Sequence, residues 1–354
     1  MAHPELNELT RRLSLSVPGK GMLFGEYGVM SGGVAAVAAL HTRRMSLDFT
    51  VCPSAKSEVI FQSDFLAGSV IVEPSQTARL LESTERSEQR NLACYVAGWE
   101  AWLADKKLLV RVTESFSPEL GFGSSSALLV AFQMALFRLS KQPADSRSLI
   151  EPTPDTDFWQ RIHAALIRLQ RKGSGYDLGI QTAALHMPIQ SGESASLFGF
   201  RNQGFNRNVF APEVKPIALT NSELSLLGCF VQSGVRSDTR AVLAETQKIQ
   251  NSNEFCSRQD EWARSFCSEP TFKNARRMCL EASKLALEYG LLPAAPDLLN
   301  FVRLCDREGV AWKTMGAGHG DCLWVLATRR EVEELILRSS ASSMSVAFSF
   351  AEGV

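Results

Sequence analysis

The residues with the clearest chemical capacity lie at glycine corners. In Pro118-Glu119-Leu120-Gly121-Phe122-Gly123-Ser124-Ser125-Ser126-Ala127 a polar segment ends in Gly-x-Gly and three serines. A mostly apolar run, Leu128 to Leu139, follows at once. Glycine lets a backbone approach a bulky anion closely and adopt φ > 0. The first N–H groups of a helix have no internal partner and carry partial positive charge. Serine hydroxyls at that point can cap the helix, bind a phosphate oxygen or ligate Mg²⁺. The stretch reads as a phosphate loop opening a buried helix, or as an ordinary capped helix behind a turn. It is neither a Walker A loop, having no Gly-Lys-Ser/Thr, nor a full Gly-x-Gly-x-x-Gly.

Five more corners carry reactive groups. Lys20 sits in Pro18-Gly19-Lys20-Gly21 and Glu26 in Gly25-Glu26-Tyr27-Gly28. Both could be plain exposed turn charges. Arg171-Lys172-Gly173-Ser174-Gly175-Tyr176-Asp177 sets two bases and an acid around a glycine-flanked serine; its simplest alternative is a helix C-cap at Gly173. Ser233 to Arg240 is a polar corner that includes Arg236 and Thr239. Met315-Gly316-Ala317-Gly318-His319-Gly320-Asp321-Cys322 is a glycine corner that could simply join two strands.

The elements that must hold these corners follow from periodicity. Leu13, Leu15 and Val17 alternate with serines, as in a half-buried strand. The strand is expected to break at Pro18–Gly21, resume at Met22–Phe24, and break again at Gly25–Gly28. Val34–Leu40 is a short apolar segment, and Met45 to Val51 alternate once more. Val59–Phe61, Val70–Val72 and Leu108–Val112 read as strands, and a helix starts from Asn91. The run after the serines is a central helix, with Gln133 and Arg138 its only polar residues before Ser140. Residues 141–157 read as a loop and Phe158–Gln170 as a helix. The domain boundary is expected in or just after residues 190–211, which are rich in Ser, Gly and Asn. Beyond it, Leu226–Gln232, Ala311–Thr314, Leu323–Ala327 and Val346–Phe350 read as strands. Helices are expected near 239–250, 272–289, 297–307 and 331–338. This mixture indicates an α+β second half.

The 354 residues suggest two domains at ~100–200 residues each. A composition 45% hydrophobic and 21% charged is that of a globular chain able to bury a large core. A net charge of −1 argues against a nucleic-acid module. The eight cysteines form no Cys-x-x-Cys pair, which argues against a zinc site. No apolar run reaches the ~18 residues of a membrane span, and Met1–Arg12 is too polar for a signal peptide. A reduced, cytoplasmic protein with a small-molecule partner, and with neither nucleic acid nor membrane, is the expectation.

The corners, in this order, resemble the GHMP small-molecule kinases. Pro18-Gly19-Lys20 with Gly25-Glu26-Tyr27-Gly28-Val29 resembles their first motif. Gly121 to Ser126 resembles the second, the ATP phosphate loop, and Lys313 to Cys322 the third. The resemblance spans about residues 15–327. Gly-Glu-Tyr at 25–27, Gly-Ser-Gly-Tyr-Asp at 173–177 and Gly-Asp-Cys at 320–322 are most similar to the phosphomevalonate kinases, with mevalonate kinases next. Glu119, where many members carry glycine, and His319, in place of the third motif's middle glycine, depart from the pattern. The resemblance implies a two-domain α+β fold, with a ribosomal protein S5 domain 2-like N-terminal domain over 1–210 and a ferredoxin-like C-terminal domain over 211–354. It implies ATP on Gly121, Gly123, Ser124, Ser125 and Ser126, and Mg²⁺ on Ser125. It implies Asp177 as base with Lys20 beside it. Lys20, Glu26, Ser174, Arg236, Thr239, Gly316 and Gly318 are expected around the acceptor. Arg171 and Lys172 are further candidates for an acceptor phosphate. The expected reaction is ATP-dependent phosphorylation of phosphomevalonate. A mevalonate kinase and a non-catalytic ligand sensor on the same fold are the alternatives.

Overall fold

The structure, a computed structural model, describes residues 10–63, 68–83, 87–141, 153–170, 174–187, 193–205, 209–235, 253–316 and 322–352. Seven strands form the larger sheet: β1 (Arg11–Phe24), β2 (Val34–Pro53), β3 (Glu58–Gln62), β4 (Ser69–Val72), β5 (Lys106–Glu114), β6 (Ala195–Asn202) and β7 (Pro212–Ile217). The order is β4-β3-β5-β2-β6-β7, with β1 also paired to β2. Strand β2 is the spine: β1 runs antiparallel along it, while β6 takes Val34–Leu40 and β5 takes Ser46–Pro53.

Two expectations about this sheet need correction. The chain does not break at Pro18–Gly21. Strand β1 passes straight through, with the register to β2 slipping between Pro18 and Gly19. Such a slip bends a strand and re-aims its side chains without ending it. Small residues are required here because the Phe230 ring lies against this stretch; a Cβ on Gly21 would sit 2.3 Å from it. Lys20 is therefore a buried strand residue rather than an exposed turn lysine. The two apolar segments at 34–40 and 45–51 are likewise one strand. Residues 190–211 also contain β6, and β6 pairs with β7, so the larger sheet runs on to Ile217.

The helices, in chain order, are α1 (Thr77–Glu82), α2 (Glu88–Val96), α3 (Glu100–Leu103), α4 (Ser124–Lys141), α5 (Thr156–Gln170), α6 (Tyr176–Leu185), α7 (Asn221–Ser225), α8 (Asn253–Ser268), α9 (Phe272–Glu288), α10 (Pro296–Glu308) and α11 (Arg329–Arg338). Helix α4 is the central one, buried along almost its whole length, and its Phe132 meets Phe49 of β2. Phe200 of β6 lies against α6, while its neighbour Gly199 lies against Cys267 of α8, so these two helices cover opposite faces. Helix α8 was not foreseen, although Phe255, Gln259, Trp262, Ala263 and Phe266 recur at helical spacing on its buried face. The expected helix at 239–250 lies outside the described residues.

A second, antiparallel sheet has the order β11-β8-β10-β9, built from β8 (Cys229–Gln232), β9 (Trp312–Thr314), β10 (Cys322–Val325) and β11 (Ser345–Ser349). Alternation splits its side chains between two cores. Phe230, Trp324 and Phe348 join the core of the larger sheet, where Trp324 meets Phe24 edge-on. Cys229, Val231, Leu323 and Val325 face α10 and α11 in a smaller core. The fold is α+β, as the resemblance implied. All eight cysteines are free. No helix among the described residues is long and apolar enough to cross a membrane.

Candidate active site

Lys20 is the hub of the site. Its backbone N–H donates to Phe122 O at 2.9 Å, which fastens β1 to the serine loop. Its Nζ lies 3.2 Å from Asp177 Oδ1 and donates to the Tyr176 phenol oxygen at 2.6 Å. Its stem runs over Gly123, where a Cβ would fall 2.8 Å from Lys20 Cε. Burial lowers the pKa of a lysine, but the Asp177 carboxylate and Tyr176 more than offset it, and Lys20 is held above its ordinary value. The ammonium is therefore permanent at neutral pH. Burial, reinforced by Asp177, pushes the Tyr176 phenol up as well, so it stays protonated.

Helix α6 supplies the acid. It starts after Gly175, at φ +75°, and places Asp177 in its first turn. Gln181, one turn on and on the same face, donates to Pro18 O at 3.0 Å and to Gly123 O at 3.3 Å. One amide thus ties α6 to both β1 and the serine loop. Ser174 Oγ is buried beside this turn without a hydrogen-bond partner among the described residues.

The serine loop takes up left-handed backbone at Gly121 and Gly123, and α4 begins at Ser124. The three serines differ. Ser126 is buried, and its hydroxyl donates to Gly123 O at 2.9 Å, so it shapes the loop. Ser124 is half-buried, and Ser125 is exposed at the helix start. Gly123→Ala is expected to destabilise the fold by ~1–2 kcal/mol, the cost of a left-handed L-residue, and to push Lys20 off Asp177. Denaturant unfolding checks the first effect; unaltered stability would show that the loop relaxes freely.

The root of the third corner lies against this loop. Met315 N–H donates to Cys322 O at 3.1 Å at the root of the β9–β10 hairpin, and Cys322 Sγ lies 3.2 Å from Leu120 O. Gly316 is at φ +62°, and among the described residues nothing would contact a Cβ placed there. Glu26 is a buried carboxylate rather than an exposed turn charge. It is ion-paired with Lys313, with side chains 5% and 3% exposed, and Lys313 also donates to Thr314 O at 2.7 Å. This pair joins the end of β1 to the root of the hairpin. Burial pushes the Glu26 carboxyl up, and Lys313 opposes it.

Strand β1, helix α6 and the loop before α4 thus bring Lys20 and Asp177 beside the loop that carries Gly121, Gly123, Ser124 and Ser125. Arg171, Lys172, Arg236, Thr239, Gly318 and His319 lie outside the described residues. The sequence reading missed Gln181, Lys313 and the role of Tyr176. Lys313 had a visible signal, as the one charge between Ala311 and Thr314 in an apolar strand. Among the described residues no group of three or more His, Cys, Asp or Glu could hold a metal ion.

No protein-family model matches the sequence, and no curated protein matches it. Solved structures do match the fold. The mevalonate kinase of Methanococcus jannaschii aligns at TM-score 0.65 and 15% identity, over 96% of this chain and 99% of that one. The Streptococcus pneumoniae phosphomevalonate kinase, in complex with phosphomevalonate and AMPPNP, aligns at TM-score 0.64 and 15% identity, over 95% and 98%. Lactococcus lactis galactokinase, complexed with galactose, aligns at TM-score 0.62 and 13% identity, over 97% and 94%. The chain has the fold of the GHMP kinases along nearly its whole length.

Proposed function

We propose that the protein is an ATP-dependent small-molecule kinase whose acceptor is 5-phosphomevalonate, converted to 5-diphosphomevalonate. The observation that carries this is the buried Lys20–Asp177 pair, packed against Gly123 at the N-terminus of α4. A ligand sensor has no need of a buried ammonium beside a carboxylate at a phosphate loop. The acceptor oxygen attacks the γ-phosphorus of ATP, the bond to the β–γ bridging oxygen breaks, and ADP leaves. Positioning and charge stabilisation are the protein's main contributions to such a step. The free N–H groups at the start of α4 cradle the ATP phosphates. Lys20 stabilises charge on the group in flight. A phosphate acceptor is already ionised, so Asp177 orients it; a hydroxyl acceptor gives its proton to Asp177. Ser174, with its unpartnered hydroxyl, contacts the acceptor.

Mg²⁺ fits this donor set. In phosphate-loop enzymes a loop Ser or Thr hydroxyl holds it together with the nucleotide phosphates, and the Ser125 hydroxyl, exposed at the loop, would take that place. Bound Mg²⁺ neutralises phosphate charge. Ser125→Ala is expected to raise the KM for Mg²⁺-ATP about ten-fold, the size of one lost hydrogen bond to a charged group, and to leave the KM for the acceptor alone. Equal ATP kinetics in variant and parent would remove Ser125 from the metal site.

The choice of phosphomevalonate rests on the resemblance at residues 25–27, 173–177 and 320–322, and on the similar enzyme that holds phosphomevalonate. Mevalonate is the second candidate, since a mevalonate kinase matches the fold equally well. ATP-dependent turnover of phosphomevalonate, mevalonate and galactose, compared side by side, tests the assignment.

A further inference from the structure

Tyr176 is not an obvious part of a kinase site, yet it takes the shortest hydrogen bond of the central lysine. An ammonium has three donors and favours carboxylates, with ionic bonds of about 2.7–2.9 Å. Lys20 does otherwise. It is 2.6 Å from the neutral phenol oxygen but 3.2 Å from Asp177 Oδ1, and that oxygen has no aligned hydrogen bond among the described residues. The ammonium also lies 4.9 Å from the centre of the Tyr176 ring, which adds a cation–π attraction. On the other side the lysine stem is held by Gly123. Tyr176 and Asp177 are consecutive in the first turn of α6, so one end of one helix presents both partners. Other charge near the lysine comes from Glu26 at the end of β1, itself engaged by Lys313.

We infer that Tyr176 is a positioning residue for Lys20, holding the ammonium beside Asp177 without letting it close onto the carboxylate. With one ammonium donor on Tyr176 and one toward Asp177, the third remains for the transferred phosphoryl group. The kinetic consequence rests on the proposed phosphoryl transfer; the placement of Lys20 does not.

The test uses Tyr176→Phe in the full chain, which keeps the ring and removes only the phenol oxygen. Two readouts are needed. The first is NMR of the Lys20 side-chain ammonium, assigned by its loss in Lys20→Met. Its hydrogen exchange is expected to speed up ~10-fold when its best acceptor is removed. The second is steady-state kinetics. The value of kcat is expected to fall ~10-fold with little change in the KM for ATP, and Tyr176→Phe is expected to add no further loss in a Lys20→Met background. A thermal melt close to the parent's accompanies both. Unchanged ammonium exchange overturns the inference, whatever the kinetics, because Tyr176 then does not act through Lys20. If the parent chain transfers no phosphoryl group, the proposed function falls and the NMR result alone decides the placement.

Discussion

Asp177→Asn is expected to fold like the parent, to keep its affinity for ATP, and to lose at least ~100-fold in kcat with a hydroxyl acceptor, the low end for lost acid–base assistance. Asparagine keeps the size of the side chain, so Tyr176, Gln181 and Gly175 keep their places. The carboxylate is worth ~0.3–1 kcal/mol against the helix dipole. Its loss also leaves the buried Lys20 ammonium with only Tyr176 and the neutral amide as partners. The melt should therefore fall measurably, by less than the ~3–5 kcal/mol of a fully buried broken pair, while the fold persists. What disappears is the negative charge facing Lys20 and the capacity to take a proton. With phosphomevalonate the loss should be smaller, because the nucleophile is already ionised. Lys20→Met should be damaging with either acceptor, since charge builds on the transferred phosphoryl in both. The pattern across two variants and two acceptors separates base from orienting group. A folded Asp177→Asn protein with full activity on the preferred acceptor would make the Asp177 turn structural.

The largest stability effect is expected at Glu26–Lys313. Both side chains are almost fully buried, and they join the first strand to the root of the β9–β10 hairpin. Removing one partner strands a buried charge and costs ~3–5 kcal/mol, whereas replacing both by apolar residues of similar size is often neutral. Lys313→Met should therefore unfold at much lower denaturant than the parent, and Glu26→Leu with Lys313→Met should recover much of the loss. The pH dependence has a definite sign. Without Lys313, the burial that already pushes the Glu26 carboxyl up loses its main opponent, leaving only the backbone N–H of Glu26 and the more distant Lys20 against it. A folded-state pKa above the unfolded value favours the fold at low pH and loses that stability as pH rises through it. Lys313→Met should thus be less destabilised at acid pH than at alkaline pH. Equal destabilisation at both, or a double variant as weak as the single ones, would mean that the pair is not an isolated buried charge pair.

Much of this was legible because glycine corners and periodic apolar runs leave strong local signals. The serine loop, the buried α4 and the Asp177 turn all stand where residue types placed them. The failures share one cause, tertiary context overriding local signals. Pro18 to Gly21 has the composition of a break, yet the Phe230 ring and the partner strand β2 keep it extended. Glu26 looked like a free carboxylate because its partner lies far along the chain, at Lys313. The same holds for Gln181, whose amide is meaningful only once Pro18 and Gly123 are beside it. Ser126 resembles its two neighbours in sequence, but the helical turn directs its hydroxyl back onto Gly123 O.

The central claim is that Lys20, Asp177 and the loop before α4 transfer the γ-phosphoryl group of ATP to a small acceptor. The most direct measurement follows label from γ-³²P-ATP, with Mg²⁺, into phosphomevalonate, mevalonate or galactose, for the parent chain and for Asp177→Asn and Lys20→Met side by side. The account predicts label in diphosphomevalonate with the parent and strongly reduced transfer with Lys20→Met. Absence of labelled acceptor from every reaction of the folded parent chain, or equal labelling by the parent and Lys20→Met, would contradict it.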